Sequence, residues 1–292
     1  METEVILVRS FTANGRGGNP AGVVVNAPQL SQAQKLKIAQ IVGYSETAFV
    51  TVDNEVDWQV SFFTTTGEVD FCGHATLAAF SVLYQKGLIT TGKYIQRTRA
   101  GLLPVVVTSD GQVVMEQQLP QFLGSFHARE VSALIGIDAG VIESTQLPVE
   151  AISTGLPDMI IPVPFGYLDR IQPNQSLIAD FCQKYELVGL HVYELYPPES
   201  ELTASCRNFA PLYGIPEESA TGSSSGALAC YLSKYLPDES TSRERRDYVF
   251  EQGRAMQCTS KITASVTFQN SEIVKVEVGG QAHETGLRHI TV

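Results

Sequence analysis

The segment from Ala75 to Tyr84 constrains the fold more than any other part of this chain, because it has the length of a helix and is apolar on every side. A helix with no polar face cannot meet solvent and has to be surrounded by other elements. We therefore predict that this helix is buried inside a curved β-sheet. The residues that lead into it, Glu68 to Thr76, include Cys72, Gly73 and His74, so small and polar groups stand at the helix start.

The second half of the chain repeats this plan. A run of small and hydroxyl residues from Glu218 to Gly226 leads into an apolar segment that ends at Tyr231. Each helix start also follows a turn and a short apolar strand, at Gly18–Val25 and at Ser153–Val163. Repetition of an ordered set of elements indicates an internal duplication. We predict an α+β fold of two pseudo-symmetric lobes, residues 1–119 (completed by a strand at about 280–292) and residues 120–279.

Local patterns predict further elements. The segment Ser31–Val42 carries a capping-box pair, Ser31 and Gln34, and Gly43 follows it, which is typical of an α-helix. The tail from Val274 onward alternates as two strands around a turn at Gly279-Gly280. Apolar or alternating segments predict strands at residues 5–8, 23–25, 48–52 and 58–62.

Composition limits the classes of partner. The 292 residues are 43% hydrophobic and 17% charged, with a formal net charge of −11, so a large core can form. An acidic surface repels phosphate backbones and anionic lipid, and we expect neither a nucleic-acid nor a membrane partner. No apolar run reaches the roughly 18 residues of a membrane span. The acidic N-terminus predicts no signal peptide, and five single cysteines without a CxxC pair favour a reducing cytoplasm.

Glu46 is the first candidate for chemistry. It stands just before the apolar residues 48–50, so we expect its carboxyl at the mouth of a core element. Desolvation at such a place would raise its pKa toward a value useful for general acid/base catalysis. The alternative is a solvated loop carboxylate, which is the more common situation of a glutamate.

Cys72 and His74 are the other reactive groups of the first helix start. A helix N-terminus lowers the pKa of a thiol, which would make Cys72 reactive, whereas the alternative is a small buried residue. His74 is either part of a ligand-binding helix start or, alternatively, a cap or a residue that makes a core hydrogen bond. A symmetrical two-thiol mechanism would need a second cysteine near Thr221, and none is there. The histidines and cysteines show no metal-ligand spacing, so we expect no metal.

The two helix starts also predict a site for a small anion. Gly73 and His74 in one lobe, and Gly222 and Ser223 in the other, would present backbone N–H groups to carboxylate oxygens if both starts faced one cleft. Neither segment is a nucleotide-binding loop, because no GxGxxG and no Gly-Lys-Ser or Gly-Lys-Thr sequence occurs there.

In these motifs the chain resembles the PhzF family of phenazine-biosynthesis-type isomerases, within the diaminopimelate epimerase superfamily. The matching motifs occur in family order along the chain: Phe11-Thr12, Gly18-Asn19-Pro20-Ala21, Ser45-Glu46-Thr47, Phe71-Cys72-Gly73-His74-Ala75-Thr76, Ser153-Thr154-Gly155-Leu156-Pro157, Arg207-Asn208-Phe209-Ala210-Pro211, Ala220-Thr221-Gly222-Ser223 and Val278-Gly279-Gly280.

The resemblance implies a diaminopimelate epimerase-like fold, in which each lobe is a barrel-like sheet around a central helix. It implies an isomerase that works without cofactor or metal, with a small carboxylate substrate and often as a homodimer. Glu46 would be the acid/base that moves a proton between substrate carbons. The residues implied to hold or line the substrate are Asn19, Gly73, His74, Glu218, Gly222 and Ser223.

Two departures from the family pattern bear on the reaction. Glu218 stands where the family usually has Asp, and Thr65-Thr66 replaces the usual Thr-Pro after Phe63-Thr64. Two other functions are kept as alternatives: a thiol-dependent racemase or epimerase that uses Cys72, and a catalytically silent protein that binds a small ligand.

Overall fold

The computed structural model describes residues 2–27, 30–236 and 244–292. The chain divides into two compact units: unit 1 is Met1–Glu116 with Gly279–Val292, and unit 2 is Gln117–Val278. The boundary predicted after Leu119 lies close to the observed one after Glu116.

Unit 1 is a mixed sheet with two helices. Its elements are β1 (Glu2–Ser10), β2 (Asn19–Val25), α1 (Gln32–Val42), β3 (Glu46–Val52), β4 (Trp58–Phe63), β5 (Glu68–Val69), α2 (Gly73–Gln85), β6 (Gly92–Thr98), β7 (Gly101–Val107), β8 (Val113–Gln117) and β18 (Ala282–Thr291). The strands lie in the order β18-β1-β2-β3-β4-β6-β7-β8, and β5 pairs with β4. The β2–β3 and β4–β6 pairs are parallel and the others are antiparallel.

Helix α2 forms the centre of unit 1. Every residue from His74 to Leu83 is buried, and the helix contacts β1, β2, β3, β7 and β18. The polar content of this stretch is small enough for complete burial, as the all-round apolar pattern predicts. Helix α1 has its polar side in solvent; Ser31 caps it with the predicted capping box, and Gly43 ends it in the left-handed conformation. Both helix predictions are confirmed.

Unit 2 has the same kinds of element. They are β9 (Gln121–Phe126), α3 (Ala128–Ile135), α4 (Ala139–Glu143), β10 (Val149–Ser153), β11 (Pro157–Pro162), α5 (Gln175–Tyr185), β12 (Gly189–Leu195), β13 (Ala204–Ala210), β14 (Ile215–Glu218), α6 (Gly222–Tyr235), β15 (Arg245–Gln252), β16 (Ser260–Gln269) and β17 (Glu272–Gly280). Helix α6 is the buried one, with Ser224 to Ser233 inaccessible and contacts to β10, β11, β15 and β16.

The pairing pattern of the two units is the same. In unit 2 an antiparallel β10–β11 pair is followed by a parallel β11–β12 pair, an antiparallel β12–β13 pair and a parallel β13–β15 pair, with β14 beside β13. This is the sequence of pairs from β1 to β6 in unit 1. The internal repeat read from two helix starts is therefore confirmed.

One local prediction is wrong. Gly279 and Gly280 do not form the turn of the C-terminal tail, because both lie inside β17, and the break before β18 falls at Gln281. Two glycines in a row suggested a turn, but Gly279 and Gly280 are both buried in the strand. In the described part of the chain, no helix combines the length and the apolar character that crossing a membrane requires.

Candidate active site

Glu46, Cys72 and His74 lie together in unit 1. Glu46 is the first residue of β3, beside the start of the parallel strand β2, and Cys72 is the N-cap of α2. His74 Nε2 lies 3.2 Å from Glu46 Oε2, and Cys72 Sγ lies 3.4 Å from His74 Nδ1. The His74 side chain is 9% exposed and that of Glu46 19%, so the pair is largely withdrawn from water but not sealed.

Two further side chains contact the imidazole of His74. Asn19, at the start of β2, has its Nδ2 3.5 Å from His74 Nδ1, and Ser45 Oγ lies 3.5 Å from His74 Nε2. Asn19 is buried and was expected to line the site. Ser45 was not among the candidates, although its position next to Glu46 could have suggested it.

The first strand fixes the start of α2. Ser10 donates a hydrogen bond to the carbonyl oxygen of His74 at 2.6 Å, across 64 residues of sequence. The next residue, Phe11, is completely buried and has a φ of 62°, a conformation that is uncommon outside glycine. Gly18 has a φ of 84°, and a Cβ there would lie 2.6 Å from the Ser10 carbonyl oxygen, so only glycine fits just before Asn19. No sequence spacing pointed to Ser10.

The charged forms of Glu46 and His74 stabilise each other. Burial raises the pKa of the Glu46 carboxyl, but the contact with His74, its positive charge and the contacts with Ser45 and Cys72 outweigh burial, and the pKa falls below its usual value. Burial lowers the pKa of His74, but Cys72 and the Glu46 carboxylate raise it well above its usual value. The expected rise in the pKa of Glu46 is therefore wrong, because the imidazolium was not foreseen. Within the pair, the two shifts favour the carboxylate form of Glu46 and the protonated form of His74.

One oxygen of Glu46 lacks a well-directed hydrogen bond. Oε2 is buried and accepts no well-directed hydrogen bond from any described residue, so the 3.2 Å contact with His74 Nε2 is an ion pair with poor alignment. A carboxylate oxygen in this state keeps a lone pair that can take a proton from a bound molecule.

Cys72 does not gain the low pKa that a helix N-terminus can give. Burial, together with the negative charge of Glu46, raises the pKa of the thiol despite the opposing effect of His74. The sulfur is therefore a neutral thiol at neutral pH, which is a poor base.

Glu46, Cys72 and His74 also form a group that could hold a metal ion. One ligand atom from each residue lies within 4.8 Å of the other two. Sequence spacing did not suggest this group, because Glu46 is far from the other two along the chain and joins them only through the β2–β3 pairing.

The sequence-predicted residues of unit 2 lie at the start of α6. Thr221 is the N-cap of this helix, which begins at Gly222 and continues with Ser223, and no side chain caps it. Thr221 donates a hydrogen bond to Glu218 Oε2 at 2.5 Å, so the carboxyl of Glu218 is held beside the helix start. Gln252 is completely buried and fixes this turn, because it accepts from Thr221 N at 3.2 Å and donates to the Glu218 carbonyl oxygen at 2.8 Å.

A buried polar network that was not predicted from the sequence lies behind the same helix start. Ser224 donates to Asp158 Oδ2 at 2.5 Å, and Asn208 Nδ2 donates to Ser224 Oγ at 3.0 Å and lies 3.3 Å from His191 Nδ1. Burial, followed by the charge of Glu218, raises the pKa of Asp158 to about 6, and burial lowers the pKa of His191 to about 3. His191 is therefore neutral in the fold.

The comparisons with known proteins agree with this architecture. The family model for PhzC-PhzF, phenazine biosynthesis-like protein, matches residues 8–285. The chain therefore belongs to the PhzF family, as its motifs suggested. It is 31% identical over 296 residues to the uncharacterized isomerase YfhB of Bacillus subtilis (strain 168), with 96% of each chain covered.

Solved structures identify the fold. The crystal structure of a PhzF-family phenazine biosynthesis protein from Bacillus anthracis gives a TM-score of 0.90 at 26% identity, with 100% of both chains covered. A hydroxyproline epimerase from Agrobacterium vitis gives a TM-score of 0.63 at 10% identity, with 99% of this chain and 91% of that chain covered. The second likeness concerns the fold alone. The predicted α+β, diaminopimelate epimerase-like fold is confirmed.

Proposed function

We propose that this protein is an isomerase that moves a proton between carbons of a small carboxylate substrate, with Glu46 as general acid/base and without a cofactor. The observation that carries the proposal is the contact between the Glu46 carboxylate and His74 in a largely buried setting. Family membership and the isomerase named among its relatives support the class of reaction.

In the proposed reaction, Glu46 takes a proton from a substrate carbon and returns it to another. The carboxylate form that His74 stabilises is the form that accepts a proton, so the base is ready at neutral pH. When Glu46 becomes neutral, the His74 imidazolium loses its counter-ion and can donate a hydrogen bond to the negative charge that develops on the substrate. Ser45 Oγ, 3.5 Å from His74 Nε2, can accept a hydrogen bond from the ring in both steps.

The substrate carboxylate is proposed to bind at helix starts. In unit 1 the first turn of α2 has no side-chain cap, and backbone N–H groups of Gly73 and His74 are suited to an anion. The parallel roles for Gly222, Ser223 and Glu218 in unit 2 stay predictions. A crystal grown with a dicarboxylate or sulfate tests them, because an anion should then lie at the start of α6.

The experiment is proton exchange in deuterated water. A panel of small unsaturated carboxylates is incubated with the protein, and NMR follows the replacement of carbon-bound hydrogen by deuterium. Glu46→Gln should reduce exchange by about 100-fold or more, because a general base contributes roughly that factor. The variant should still bind the substrate, and its circular dichroism spectrum should stay unchanged, because the two side chains have nearly the same volume.

The matched control is Glu4→Gln, which alters a glutamate of the same unit on its surface. Glu4 is 46% exposed and pairs with Lys86 at 3.3 Å. Exchange that is equally fast in wild type and Glu46→Gln would remove Glu46 from the mechanism.

A chelator should leave exchange intact, since the proposed steps use no metal. A homodimer and a cytoplasmic location stay predictions, and sedimentation of the purified protein tests the first.

A further inference from the structure

The three reactive side chains of unit 1 have the composition of a transition-metal site. Glu46, Cys72 and His74 supply a carboxylate oxygen, a sulfur and an imidazole nitrogen, and these atoms lie within 4.8 Å of one another. Calcium and magnesium prefer oxygen ligands alone, whereas a mixed set with sulfur and imidazole suits zinc. Zinc sites with three protein ligands keep a fourth position open.

The spacing is close to what one tetrahedral ion requires. Zinc bond lengths of about 2.3 Å to sulfur and about 2.0 Å to nitrogen place these two ligands about 3.5 Å apart. Cys72 Sγ and His74 Nδ1 are 3.4 Å apart. His74 offers only one nitrogen to an ion and its Nε2 faces Glu46, so the Glu46 carboxylate has to move toward an ion held by Cys72 and His74 Nδ1.

The surroundings allow an ion to enter. Cys72 is partly exposed and the Glu46 side chain is 19% exposed, so the ligands are reached from solvent. The formal net charge of −11 attracts cations to the protein. When the ion binds, the Cys72 thiol and the His74 imidazolium each lose one proton to solvent as the sulfur–metal and nitrogen–metal bonds form.

We propose that Glu46, Cys72 and His74 bind a zinc ion reversibly, and that the bound ion blocks the reaction by occupying the lone pair of Glu46. The ion is an inhibitor and takes no part in proton transfer. The blocking effect rests on the proposed function, whereas the binding itself does not, so the experiment measures binding without the isomerase assay.

Cobalt serves as the spectroscopic probe for zinc. Titration of metal-free protein with Co²⁺ should produce a thiolate-to-cobalt charge-transfer band, and zinc should abolish it by displacement. Cys72→Ser should lose the band, and Glu46→Gln and His74→Asn should bind Co²⁺ at least tenfold more weakly. A protein without the band, or a Cys72→Ser variant that keeps it, would overturn the proposal.

Two matched controls separate this site from other metal binding. His289 lies 3.8 Å from Glu2 on the surface, and this pair is an alternative metal ligand set. His289→Ala should leave the band unchanged. Zinc should also slow alkylation of Cys72 by iodoacetamide but not that of Cys258, the other partly exposed cysteine, as mass spectrometry of the peptides shows. Equal alkylation of Cys72 with and without zinc would contradict the site.

Discussion

Replacing Asp158 with asparagine tests whether a buried carboxyl in unit 2 destabilises the fold at neutral pH. Asp158 is 2% exposed, its Oδ2 accepts the hydrogen bond from Ser224, and its Oδ1 has no partner among the described residues. Its pKa is raised from 3.8 to about 6, first by burial and then by the charge of Glu218. A carboxyl with one unsatisfied oxygen in such a place is costly to ionise.

The sign and the size of the effect of Asp158 on stability follow from the linkage between proton binding and folding. Below pH 3.8 the carboxyl is neutral in both the folded and the unfolded chain and has no effect on their balance. Between about 4 and about 6 the unfolded chain ionises while the folded chain stays neutral, so this group lowers stability as the pH rises. A pKa difference of about 2 corresponds to about 3 kcal/mol in the free energy of unfolding, and wild type has lost this amount once the pH is above 6.

The measurement is urea unfolding of Asp158→Asn and wild type at several pH values from 4 to 7. Asparagine cannot ionise, so the variant should gain on wild type as the pH rises, by most of the about 3 kcal/mol. The amide of the variant leaves one polar group without a partner at every pH. This cost in the free energy of unfolding is the same at each pH, so it does not contribute to the change of the stability difference with pH. Asp180→Asn, at an exposed position on α5, is the matched control. A difference between Asp158→Asn and wild type that is constant over this range would refute the reasoning.

Two further predictions concern the candidate sites. Cys72→Ala should retain substantial proton exchange, because its pKa is raised and its thiol is a poor base; complete loss with intact circular dichroism would favour the thiol-dependent racemase. Ser223→Ala should weaken binding of a carboxylate only modestly, since the backbone donors remain, whereas Gly222→Val should weaken it far more by blocking approach. Isothermal calorimetry with the best ligand of the exchange panel compares them, and equal losses would argue against backbone binding at the start of α6.

Features that depend on short-range pattern were predictable from the sequence. The capping box of α1 needs only Ser31 and Gln34 at the correct spacing, and the burial of α2 follows from its composition. The internal repeat could be recognised because each buried helix follows a short strand, and small residues separate the strand from the helix. These signals are local, so they survive without knowledge of tertiary contacts.

Features that depend on strand pairing were not predictable. Ser10 reaches the His74 carbonyl oxygen because β1 lies beside α2, and Asp158 meets Ser224 across 66 residues. The sign of the pKa shift of Glu46 was wrong for the same reason. Burial could be inferred from the apolar residues after it, but the imidazolium at 3.2 Å is brought there only by the fold.

The ion pair of Glu46 and His74 narrows the substrate that the proposed function requires. A carboxylate with a lowered pKa is a weak base, so the substrate carbon has to be acidified by conjugation with a carbonyl or an alkene. A negatively charged substrate beside Glu46 also excludes water and adds a like charge, and both effects raise the pKa of the carboxyl. The bound substrate therefore makes Glu46 a stronger base than it is in the free protein. The first argument favours a conjugated substrate, and the second favours an anionic one over a neutral one.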